Sequence, residues 1–206
     1  MGKIKICGLT RIEDIEAVNQ VLPDYVGFVF AKSKRQVIDI VAENLKSHLN
    51  PFIKAVGVFV NDDIEHIVHL CNLKIIDIVQ LHGDESEEYI KKLKKYIHNE
   101  IIKAVRVKDL NDIKMADEFS SNYLLFDAYH EKQYGGSGIT FDWSLISTIT
   151  VNKPYFLAGG INLKNILEAQ NLCSPYCMDV SSGVETNGFK DKEKIIKIVT
   201  KIRSVK

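Results

Sequence analysis

Short apolar runs recur along this chain roughly every 25 residues, each followed by a turn and then an amphipathic stretch. The runs are KIKIC (3–7), YVGFVF (25–30), AVGVFV (55–60), IIDIVQL (75–81), IIKAVRV (101–107), YLLFD (123–127), PYFLA (154–158) and YCMDVS (176–181). They are continuous rather than strictly alternating, as parallel strands covered on both faces require. The stretches between them carry helical spacing. Ile64, Ile67, Val68 and Cys71 share one face, as do Ile195, Ile196, Val199 and Ile202. Thr10 to Glu13 reads as a capping box opening the first helix. Asp109 and Asn162 read as further N-caps. Strands alternating with helices give a parallel α/β fold. Eight such units without a long insertion favour closure, so the expected fold is a single small (β/α)8 TIM barrel over residues 1–206, with a phosphate site after strands 7 and 8. No linker or second domain is visible.

Composition narrows the function classes. Lys and Arg number 27 and so do Asp and Glu, so no basic excess points to nucleic acid. The opening MGKIKICGLT is too short and charged for a signal peptide, and no apolar run approaches the ~20 residues of a membrane span. A reducing cytoplasm is the expected compartment. The four cysteines form no CxxC pair, so no metal is expected. Cys173 and Cys177 read as reduced packing residues near a helix end. Arginine is scarce (Arg11, Arg35, Arg106, Arg203), which singles out any that falls at a strand end.

Active sites of such barrels lie at the C-terminal ends of the strands. Cys7 ends the first strand, Arg35 follows the second, His82 the fourth, and Asp127 ends the sixth. A carboxylate closing Tyr123-Leu124-Leu125-Phe126 is costly unless paired or used. Cys7 has a bland alternative as a buried apolar cysteine, and His82 fits either a core or a substrate contact. His66 and His69 read as solvated surface rather than metal ligands. After strand 6 comes Gly135-Gly136-Ser137-Gly138, after strand 7 Gly159-Gly160, and after strand 8 Ser181-Ser182-Gly183, with Gly188 to Asp191 opening the last helix. Glycines there let backbone N–H groups approach an anion, and a helix N-terminus adds partial positive charge. Gly136, Gly159, Gly160, Ser181, Ser182 and Gly183 are therefore the expected phosphate-binding residues. Glycines serving only as turns are the alternative.

The ordered set KICGLT (5–10), GFVF (27–30), Ser33-x-Arg35, GVFVN (57–61), VQLHG (79–83), Asp127, GGSGITFDW (135–143), LAGGI (157–161) and DVSSGVE (179–185) resembles the phosphoribosylanthranilate isomerase family over nearly the whole chain. Lys34 stands where that family usually has Pro. The resemblance implies an Amadori rearrangement of a phosphosugar, with Asp127 as general acid and Cys7 as general base. It further implies Arg35 on the anthranilate carboxylate, glycine-rich loops on the phosphate, and no cofactor. Two rivals share the phosphate site. The histidine-pathway isomerase typically places an aspartate where Cys7 stands, and indoleglycerol-phosphate synthase carries a longer N-terminal extension. A non-catalytic sugar-phosphate binder is a third reading, against which Cys7 and Asp127 at strand ends both argue.

Overall fold

The computed structural model describes residues 2–128 and 143–204. Strands and helices alternate along the chain. The order is β1 (Lys3–Cys7), α1 (Ile12–Val21), β2 (Tyr25–Val29), α2 (Asp39–Ser47), β3 (Lys54–Phe59), α3 (Ile64–Asn72), β4 (Ile78–Leu81), α4 (Glu87–Leu93), β5 (Glu100–Val107), α5 (Leu110–Ala116) and β6 (Tyr123–Ala128). It continues through α6 (Ser144–Ser147), β7 (Tyr155–Leu157), α7 (Ile166–Cys173), β8 (Cys177–Val180), β9 (Glu185–Thr186), β10 (Phe189–Lys190) and α8 (Lys192–Arg203). The first eight strands are parallel and close into a barrel, with β1 pairing both β2 and β8. Among the described residues no helix is long and apolar enough to cross a membrane.

Two apolar layers follow from the two-residue period of the strands. Tyr25, Val56, Ile78, Ile102, Leu125, Phe156 and Cys177 point inward and form one buried cluster. Ile4, Ile6, Val26, Phe28, Leu81, Leu124 and Phe126 point outward and pack with the helices in a second, larger one. The inward register continues toward the C-terminal ends of the strands. There it carries Lys5 and Cys7 on β1, Gln80 on β4 and His82 just after it, Asp127 on β6 and Asp179 on β8.

Four sequence expectations shift. The run 75–81 is a strand only from Ile78; Ile75 and Ile76 are buried in the preceding turn, which Asp77 fixes by accepting from the Ala55 N–H at 2.7 Å. The first helix is capped one residue later than expected. Arg11 is the N-cap, and Asp14, rather than Glu13, accepts from the Thr10 and Arg11 N–H groups. Asn162 does not cap α7, which starts four residues on; its side chain holds the loop after β7. His69 is exposed as expected, but His66 is half-buried between Asp39 and Asp62, with its ring edge-on to Phe30 and Phe59.

Candidate active site

At the C-terminal ends of the strands lies a cavity of about 730 Å³. Cys7, Arg35, His82, Asp127, Gly159, Gly160, Ser181 and Ser182 all line it, so residues spread over most of the chain meet in one place. Gly183 is not part of the lining; it packs against Ile161 and Asn162 of the loop after β7. Gly136 lies outside the described residues.

Cys7 is the last residue of β1 and is buried. Its room comes from Gly27 on the neighbouring strand: a side chain there would put its first carbon 2.7 Å from the Cys7 sulfur. One period below sits Lys5, fully buried, with Nζ 3.0 Å from Asp179 Oδ2. Burial alone would lower the Lys5 pKa, but Asp179 and Cys7 outweigh it and hold the ammonium firmly protonated. The Cys7 thiol is pushed up by burial, against the opposing pull of Lys5 and Lys190. The cations that would favour a thiolate are therefore present, yet desolvation is the stronger influence. Asp179 Oδ1 is buried and unpartnered on the cavity wall.

Asp127 enters from β6. Its Oδ1 accepts from the Ala128 N–H at 2.8 Å, and its Oδ2 is 3.2 Å from His82 Nε2. His82 is thus a neighbour of the carboxyl as well as part of the cavity wall. The turn that carries it is clamped by Glu85, which accepts from the N–H groups of Asn61 (2.8 Å) and Gly83 (2.9 Å) and from Lys103 Nζ (2.7 Å). A buried acid so well supplied with donors is a scaffold for the loop.

Arg35 follows β2, and its guanidinium fork is already engaged. Nε and Nη2 donate to Glu185 Oε1 and Oε2 at 2.6 and 2.9 Å. Lys190 Nζ donates to the same carboxylate at 2.7 Å. Hydrogen bonding to Glu185 raises the Arg35 pKa. Burial works against the Glu185 carboxylate, but Arg35 and Lys190 hold it below the usual range. Two cations around one anion leave one positive charge, with Nη1 of Arg35 outside the pair.

The loops after β7 and β8 face Cys7 from the other side. Gly159 and Gly160 have φ of +82° and +69°, a left-handed backbone that side chains resist. Asn162 and Asn165 both donate to the Gly160 carbonyl, at 2.9 and 3.0 Å, and fix that turn. Asn162 also bridges to Gly183, zipping the two loops together. The Ser181 hydroxyl donates to the Cys7 carbonyl at 3.0 Å, so its proton is committed within the protein. The expected opening of the last helix is different as well. Residues 185–190 make the β9–β10 hairpin, and Asp191 caps α8 by accepting from the Lys194 N–H at 3.1 Å.

Sequence reasoning missed Lys5, Gln80, Asp179, Glu185 and Lys190. A signal existed for three of them. Lys5, Gln80 and Asp179 are polar residues inside apolar strands, the same anomaly that marked Asp127. Glu185 and Lys190 carry no such mark, because their partner Arg35 is 150 residues from Glu185 in sequence.

Comparison with known proteins agrees over the full length. A family model described as N-(5'phosphoribosyl)anthranilate (PRA) isomerase matches residues 4–201. A relative from Endomicrobium trichonymphae, named N-(5'-phosphoribosyl)anthranilate isomerase, is 52% identical, the match covering 100% of both chains. The crystal structure of phosphoribosyl anthranilate isomerase from Thermotoga maritima superposes with a TM-score of 0.90 at 35% identity, again covering 100% of each chain. A further structure of such an isomerase holds reduced 1-(o-carboxyphenylamino)-1-deoxyribulose 5-phosphate, with a TM-score of 0.85, 34% identity and 100% of each chain covered. With barrel, cavity and full-length likeness in agreement, the chain belongs to the phosphoribosylanthranilate isomerase family.

Proposed function

We propose that this single-domain barrel, residues 1–206, converts N-(5-phosphoribosyl)anthranilate to 1-(2-carboxyphenylamino)-1-deoxyribulose 5-phosphate in the cytoplasm, the third step from chorismate to tryptophan. The observation that carries the reading is that Cys7 of β1 and Asp127 of β6 end in one cavity, with Arg35 and the paired glycine loops around it. In this reading Asp127 protonates the furanose ring oxygen. The C1'–O bond breaks and the amine lone pair forms a C1'=N iminium. Cys7, as thiolate, removes the C2' proton, and the C–H electrons become the C1'=C2' bond of an enolamine. Return of a proton to C1' and loss of one from the C2' hydroxyl give the ketone. The iminium nitrogen is the electron sink, so the rearrangement draws on no cofactor. Gly159, Gly160, Ser181, Ser182 and Gly183 hold the 5'-phosphate, Ser181 through its backbone, and Gly136 belongs to the same set. The direct test mixes purified protein with freshly made phosphoribosylanthranilate and follows loss of its fluorescence. An unchanged signal at micromolar enzyme would refute the activity.

Arg35 is the anthranilate carboxylate contact in this reading, with Glu185 holding the guanidinium by one edge so that Nη1 is presented to the substrate. Arg35→Lys should cost roughly 10- to 100-fold in kcat/KM, the worth of a charged hydrogen bond, because an ammonium cannot serve both carboxylates as a planar fork does. Full kcat/KM in Arg35→Lys would remove that role.

For the phosphate loops the readout is stability. Inorganic phosphate at about 100 times its Kd should stabilise the fold by about 2.7 kcal/mol. Gly160→Val should abolish that gain, since valine resists the left-handed backbone and narrows the turn. Undiminished phosphate stabilisation in Gly160→Val would place the anion elsewhere.

A further inference from the structure

The VQLHG run places two polar residues, Gln80 and His82, on the inward face at and just past the end of β4. Gln80 sits one strand period below His82, 1% exposed, in the wall of the same cavity. Its Nε2 is 2.7 Å from His82 Nδ1, and His82 Nε2 is 3.2 Å from Asp127 Oδ2. The three side chains form one relay that ends on the carboxyl. The other amide atom, Gln80 Oε1, is buried and has no hydrogen-bond partner among the described residues. An amide oxygen left so beside a cavity calls for an explanation.

We propose that Gln80 is a positioning residue that fixes the tautomer of His82 and so keeps the proton of Asp127 available to substrate; this rests on Asp127 being the general acid. A neutral imidazole has one N–H and one lone pair, and the partner of one nitrogen decides what the other carries. With the amide NH2 against Nδ1, that nitrogen accepts, and the ring proton sits on Nε2, aimed at Asp127 Oδ2. The imidazole then has no lone pair toward Asp127 and cannot tie up the acid's own proton. Once Asp127 has protonated the ring oxygen, the His82 N–H already faces the oxygen where negative charge has developed. The opposite tautomer would do the reverse, holding the Asp127 proton in an O–H···N bond.

Nitrogen-15 NMR of histidine-labelled protein reads the tautomer without turnover, and His82→Gln identifies the His82 signals by removing them. Wild type should show His82 protonated at Nε2 alone. Gln80→Leu should shift it toward a mixture and lower kcat on the order of 10-fold or more, with phosphate stabilisation unchanged. Gln80→Glu, whose carboxylate only accepts, should draw the proton to Nδ1 and lower kcat further. Gln80→Met replaces Gln80→Leu if the latter melts early. A wild-type His82 protonated at Nδ1 or at both nitrogens overturns the proposal, as does an unaltered kcat in the Leu or Met variant. Full activity in Asp127→Asn would instead sink the acid assignment, while the tautomer measured in the resting protein would stand.

Discussion

Asp127→Asn should lower kcat/KM by about 10²- to 10⁴-fold, the usual worth of a general acid. The substitution changes little else. An Asn oxygen still accepts from the Ala128 N–H and the amide fills the same volume, although its NH2 replaces the oxygen that faced the His82 N–H. The variant should therefore fold, melt near wild type and keep its phosphate stabilisation, so that the loss falls on chemistry. The amide fails because it has no proton acidic enough to leave with the ring oxygen, and the furanose stays closed. Steady-state kinetics on phosphoribosylanthranilate measures this. Turnover within threefold of wild type would mean that ring opening proceeds without this group.

Cys7→Ser should cost about 10²-fold or more. A hydroxyl in the same place is a far weaker acid than a thiol, so almost none of it is ionised to act as base. The wild-type pH profile carries a second, sharper expectation. Burial pushes the Cys7 thiol up despite Lys5 and Lys190 nearby. The reactive thiolate is then the minor species at neutral pH, and because kcat/KM needs Cys7 ionised and Asp127 protonated at once, its pH profile should be bell-shaped, with the thiol setting one limb. Cys7→Asp supplies a base ionised at all working pH values and should flatten that limb while restoring part of the activity lost in Cys7→Ser. The losses of Cys7→Ser and Asp127→Asn should not add in the double mutant, because both groups serve one rearrangement. A pH profile with the same limbs in wild type and Cys7→Asp would show that no thiol limits the reaction.

The barrel was legible because continuous apolar runs between amphipathic stretches have few other solutions. Boundaries were less so. Ile75 and Ile76 are as buried as the strand they precede, and hydrophobicity does not separate a covered turn from a strand. The β9–β10 hairpin escaped because two-residue strands have no period to detect. Within the site, reading only the ends of the strands found Cys7 and Asp127 but passed over Lys5 and Asp179, one period below the rim. Pairing is what the sequence conceals. That the Arg35 fork is held by Glu185, and that the Ser181 hydroxyl is spent on the Cys7 carbonyl, depend on how distant strands are brought side by side.

Lys5 and Asp179 face each other across the seam where the first strand meets the eighth. During synthesis the lysine emerges near the start of the chain and its aspartate some 170 residues later, |i−j| = 174. At ~5–20 residues per second the ammonium waits on the order of ten seconds for its counter-ion. Until then, packing β1 against a partly made barrel would strand an unpaired charge in apolar surroundings, which is strongly unfavourable. The seam thus ties closure of the barrel to its last strand: the charge buried beneath Cys7 has its counter-ion only once β8 is in place.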